Sequence, residues 1–65
     1  MPNEINTNLL SRARITKGLS QIEVARATGL SAMTVHRVEA GENTFQKTIK
    51  KIADYLGIPM RKLMK

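Results

Sequence analysis

An all-α domain of five short helices is the fold this 65-residue chain predicts, on three observations. Apolar residues recur at helical spacing, most clearly Ile49, Ile52, Ala53 and Leu56, which follow i, i+3, i+4, i+7. Gly18, Gly29 and Gly57 stand where such segments end. No stretch alternates apolar and polar residues with the period of two that a half-buried strand needs, and no repeat or low-complexity segment interrupts the pattern.

Residues 1–5 include Pro2 and Asn3 and are expected to be a loose N-terminus to a single domain spanning 1–65. Asn6 or Thr7 is expected to cap a first helix running to about Lys17, with Leu9, Leu10 and Ala13 inward. Ser20 with Glu23 three residues on is a capping box: the serine oxygen accepts from the Glu23 amide, and the carboxylate reaches back to the Ser20 amide. A second helix, Gln21 to Thr28, follows, with Val24, Ala25 and Thr28 on one face. Ala25 is small enough for another helix to lie close. Gly29 sits where the chain needs a positive φ to pass from one helix to the next. Leu30 plugs that turn into the core, and Ser31 caps a third helix, Ala32 to Glu39, that buries Val35 and Val38. Ala32, Met33, Thr34, His36 and Arg37 are expected to face outward together. Ala40 to Thr44 reads as a polar loop, and Gln46 to Leu56 as a fourth helix. Ile58-Pro59 starts a short fifth helix whose Leu63 returns to the core. Two short helices joined by a tight glycine turn make a helix-turn-helix, and the second presents a surface suited to the major groove.

The block from Leu19 to Gly41 resembles the phage Cro/cI repressor family of helix-turn-helix domains, also called the XRE family. The matching residues are Ser20, Gln21, Glu23, Ala25, Gly29, Leu30, Thr34, Val35, Val38, Glu39 and Gly41. Leu10 with Arg14, and Ile49 through Gly57, fit the family's first and fourth helices, so the likeness runs from Asn6 to Leu63. It implies a compact lambda-repressor-like fold and a partner in double-stranded DNA. It also implies that Gln21 holds a phosphate and braces the third helix, that Arg14 pairs with Glu39 between the first and third helices, and that Asn43, Thr44 and Lys47 approach the DNA backbone. The chain departs from the family's pattern in two places. Its Gly41 to Ile49 connection is shorter and lacks the proline common there, and Ala32, Met33 and Arg37 match no set with an assignable target.

The chemistry of these residues sorts the expected contacts. The Arg37 guanidinium has two parallel donors that match N7 and O6 of guanine, which makes it the candidate for direct base readout. Ala32 and Met33 have no such donors and are expected to read shape and the thymine methyl. His36 is either a base or phosphate contact or a solvated histidine. Gln21 opens a helix whose free amides, with its own side chain, suit a phosphate. Ser31 serves as a cap and a phosphate contact, and Thr34 as a phosphate or thymine-methyl contact. Ile58, Met60 and Met64 have two readings, a dimer seam or the closure of a small core.

Eleven Lys and Arg against five Asp and Glu leave a formal charge of +6. Such a balance fits a polyanionic partner and also fits ordinary solubility. One Phe and one Tyr offer no aromatic platform for RNA bases. There is no cysteine, and a lone His36 cannot build a zinc site, so neither metal nor cofactor is expected. No nucleophile–base pair or glycine-rich phosphate cradle is present, and the chain is not expected to be an enzyme. It has no apolar run long enough to span a membrane, and the expected location is the cytoplasm of a bacterium, the protein being host- or phage-encoded. Chains this short bury only about 60% of their unfolded surface and depend on tight helical packing or a partner. The expected function is a repressor that binds an inverted-repeat operator as a homodimer, with no room for an effector domain. The alternative is an antitoxin-type module of the same fold that neutralises a protein toxin; the short termini count against it.

Overall fold

The capping box and the apolar spacing place the helices. The computed structural model describes residues 6–42 and 45–64. The expectations for residues 1–5, Asn43 and Thr44 lie outside the described residues. Five helices follow in order: α1 (Asn8–Thr16), α2 (Gln21–Thr28), α3 (Ala32–Glu39), α4 (Gln46–Leu56) and α5 (Met60–Leu63), with no strand among the described residues. Ser20 and Glu23 exchange both bonds of the capping box, at 3.0 Å into the serine oxygen and 2.9 Å into the carboxylate. The Ser31 oxygen accepts from the Thr34 amide at 3.1 Å and starts α3 the same way.

The start of α1 differs from expectation. Thr7 occupies the cap position but has helical backbone angles, and no side chain caps the helix. Its hydroxyl points instead at the Glu39 carbonyl, 3.5 Å away, because Thr7 is buried against α3. The N-terminal edge is held by backbone: the Asn6 amide donates to the Leu63 carbonyl at 2.6 Å, tying the entry of α1 to α5.

Gly29 has φ of +76°, and beyond it the Leu30 amide reaches back to the Ala25 carbonyl at 2.9 Å. This bond across the turn satisfies a carbonyl that the helix end leaves open. It also sets the angle between α2 and α3. The same i to i−5 bond closes α1, α3 and α4, through Leu19, Glu42 and Ile58.

The core draws on every helix. Leu10, Val24, Ala25, Val35, Val38, Ile49, Ile52, Ala53, Leu56 and Leu63 are buried. Against them pack Leu9, Ala13, Leu19, Leu30, Ala32, Ile58 and Met60, all partly buried. Ile58 and Met60 therefore take part in closing the core. α2 lies on α3 and α4, and α1 bridges α3 and α4, so α3 is gripped from its inner side.

Candidate nucleic-acid interface

Burial of Val35 and Val38 turns the opposite face of α3 to solvent, because the two lie about one helical turn apart on one side and each residue advances about 100° around the axis. Met33 (57% exposed), His36 and Arg37 stand on that face. Ala32 does not join them fully: it is half-buried and packs against the core, since the tight turn brings the start of α3 down onto α2. Thr34 is half-buried as well, and its hydroxyl lies 2.8 Å from that of Ser31. The outward group is thus narrower than the spacing alone predicts.

The orientation of α3 is set at its far end. The Glu39 carboxylate accepts from Arg14 Nε at 2.7 Å, Arg14 Nη2 at 3.1 Å and Gln21 Nε2 at 3.0 Å. Arg14 Nη1 donates to the Leu19 carbonyl at 2.8 Å, so one guanidinium ties α1, the α1–α2 link and α3 together. The two charged side chains are only 15% and 7% exposed. Removed from water, they are worth more as a directional lock than as net stability. Resemblance implied the Arg14–Glu39 pair and the bracing by Gln21. The Leu19 carbonyl has no signal in the sequence, because the contact is to backbone.

Gln21 keeps a second amide hydrogen after donating to Glu39, and its own backbone amide and that of Ile22 open α2 without a helical partner. Ser31 and Thr34 share one hydroxyl hydrogen between them, which leaves the other available. Both helix starts so present donors beside the exposed face of α3. Lys47 is exposed on α4. Lys50 is engaged with Asp54 at 3.0 Å, an open i, i+4 pair of little energetic weight. Asn43 and Thr44, expected at the backbone, fall outside the described residues.

The structure separates the three residues considered for a dimer seam. Ile58 lines a groove with Leu9 and Ala13 of α1, whereas Met60 and Met64 line another with Gln46, Lys47 and Lys50 of α4. Exposed apolar side chains occur elsewhere, at Ile15, Ile22, Phe45 and Tyr55, none of them singled out by helical spacing.

Glu23 gives this region a pH dependence. Its bond to the Ser20 amide first, and to the Ser20 hydroxyl second, holds its carboxyl below the usual glutamate range. A depressed folded-state pKa contributes stability above the unfolded value, and that contribution disappears as pH falls through the folded value. Acid unfolding curves are expected to have a shallower acid limb in Glu23→Gln than in the wild type. Parallel limbs would show that the carboxylate carries no such linkage.

Among the described residues no group of three or more His, Cys, Asp and Glu could hold a metal, and no helix is long and apolar enough to cross a membrane. Two short capped helices joined through a left-handed glycine, the second locked at its far end, make a helix-turn-helix. The helix-turn-helix family matches residues 10–63, and the chain belongs to it, in its Cro/cI-like XRE branch. It is a DNA-binding transcription regulator of that family. No curated protein matches the chain.

Proposed function

We propose that the protein is a repressor that binds an inverted-repeat operator as a homodimer, placing α3 of each copy in successive major grooves. The observation that carries this reading is the exposed Met33, His36 and Arg37 face on a helix fixed by the Glu39 clamp. Arg37 reads guanine, His36 contacts base or phosphate beside it, and Met33 with the edge of Ala32 reads shape and thymine methyl. Gln21, Ser31, Thr34 and Lys47 hold phosphates and set the register, with Asn43 and Thr44 proposed beside them from sequence. No step of chemistry and no cofactor is involved; occupancy of a promoter in the cytoplasm excludes polymerase.

A single unit of this size reads half a site. Two copies joined near α5 place their recognition helices about 34 Å apart, one turn of DNA. Met60 at the start of α5 and Met64 just past its end, both half-buried, supply the seam. Ile58 lines a different groove, against α1, and the seam proposed here does not include it.

The test is Arg37→Ala on the selected site and on random duplex. A loss of about 1–3 kcal/mol on the selected site, with little change on random DNA, is expected for a base contact. Equal losses on both would assign Arg37 to phosphate.

A further inference from the structure

An open groove of about 360 Å³, lined by no residue of α3, runs between α1 and the start of α5. Leu9, Ala13 and Ile58 make its apolar floor, and Arg12, Lys17 and Lys62 stand on its walls. We propose that this groove binds an acidic, amphipathic helical segment of a partner protein, so that the regulator carries a protein-docking face separate from its DNA-reading face.

Charge decides the occupant. All three charged residues that line the groove are cations, and no carboxylate lines it. Among the described residues none of the three is in an ion pair: the pairs are Arg14 with Glu39 and Lys50 with Asp54. Glu23 is engaged in its capping box. A second copy of the same groove would bring three unpaired cations against three, unlike the methionine groove, where Lys50 is already paired with Asp54, so self-association through this face is disfavoured. A DNA backbone would meet the cations but leave the Leu9, Ala13 and Ile58 floor facing phosphate and water. A helix with apolar side chains on one stripe and carboxylates on its flanks satisfies both floor and walls.

Geometry keeps this face apart from the other two. Leu9, Arg12, Ala13 and Thr16 form one stripe of α1, and at about 100° per residue Arg14, which reaches α3, lies roughly 150° around the helix from its centre. By the same count Lys62 is on the opposite side of α5 from Met60, at about 200°. Docking at the groove therefore leaves both the clamp and the proposed dimer seam uncovered. A partner held there brings its own body to promoter DNA or, by altering how α5 sits, changes dimer formation.

The experiment uses a fluorescein-labelled peptide with leucine at i, i+4, i+7 and i+11 and glutamate on the flanking positions, beside a scrambled peptide of identical composition. Binding is followed by anisotropy at physiological salt, and its location by amide chemical-shift changes on the labelled protein. The patterned peptide is expected to saturate, to become helical, and to move the amides of Leu9, Ala13 and Ile58 most. The double variant Arg12→Glu, Lys62→Glu is expected to weaken it by about tenfold or more, with an unchanged unfolding midpoint. Lys17→Glu alone, at the same groove, serves as the second variant if the double one is unstable. Equal binding of the scrambled peptide, shifts centred on α3, or no saturable binding into the millimolar range would each overturn the proposal.

Discussion

Glu39→Ala is expected to lose about 3–5 kcal/mol of stability, the range for removing one partner of a buried ion pair. The loss is large because three donors converge on that carboxylate: Arg14 Nε, Arg14 Nη2 and Gln21 Nε2. Truncation leaves the Arg14 guanidinium mostly shielded from water, with only the Leu19 carbonyl as partner. A single core in a chain this small rarely supplies more than about 3–5 kcal/mol in total. The variant should therefore be largely unfolded at room temperature by circular dichroism. Two further variants separate stability from orientation. Glu39→Gln keeps one acceptor but turns an NH2 group toward the donors, so its midpoint should fall between wild type and alanine. Replacing the whole pair, Arg14→Met with Glu39→Leu, removes the uncompensated charge and should recover much of the stability. It should not recover specific DNA binding, because α3 has lost its directional lock. A wild-type denaturation midpoint for Glu39→Ala would show that the clamp does not contribute as described.

Gly29→Val should be the next most damaging change. A Cβ at Gly29 would meet no atom within 4 Å, so the cost is conformational rather than a collision. An L-residue at φ of +76° costs about 1–2 kcal/mol, and a β-branched side chain more. At about 4–8 °C per kcal/mol for a domain of this size, the melting temperature should drop by roughly 10 °C or more. If the chain instead relaxes at the turn, the α2–α3 angle changes and specific binding fails along with stability. Gly29→Asn is the matched control, since asparagine tolerates the left-handed region and should lose far less. Equal stability of the valine and asparagine variants would contradict the role of the turn.

Both predictions rest on features that the sequence carries unevenly. Capping and glycine signals are local chemistry, and Ser20 with Glu23, Ser31 and Gly29 sit in the structure as their spacing implies. Helix spans for α2, α3 and α4 follow from them and from apolar periodicity. Thr7 reads as a cap because its type fits, but burial against α3 redirects its hydroxyl to Glu39. Ala32 reads as outward on a helical wheel, but the tightness of the turn folds it onto the core. The wheel knows nothing of the neighbouring helix. The residues at the end of the chain show the same limit more sharply. Ile58, Met60 and Met64 look like one apolar group in sequence, yet the path through Gly57 and Pro59 sends Ile58 to α1 and the methionines to α4. The apolar groove with cationic walls is invisible along the chain, because Arg12, Lys17 and Lys62 meet only after α5 folds back beside α1.

The proposed repressor reads DNA sequence through α3, with two copies acting together. Selection of bound sites from random duplex DNA by the wild-type protein tests this most directly. The expected result is enrichment of an inverted repeat whose half-sites lie about 10 base pairs apart, centre to centre, each containing a guanine that loses its preference with Arg37→Ala. Recovery of unenriched sequence, or of a single asymmetric site indifferent to Arg37, would contradict it.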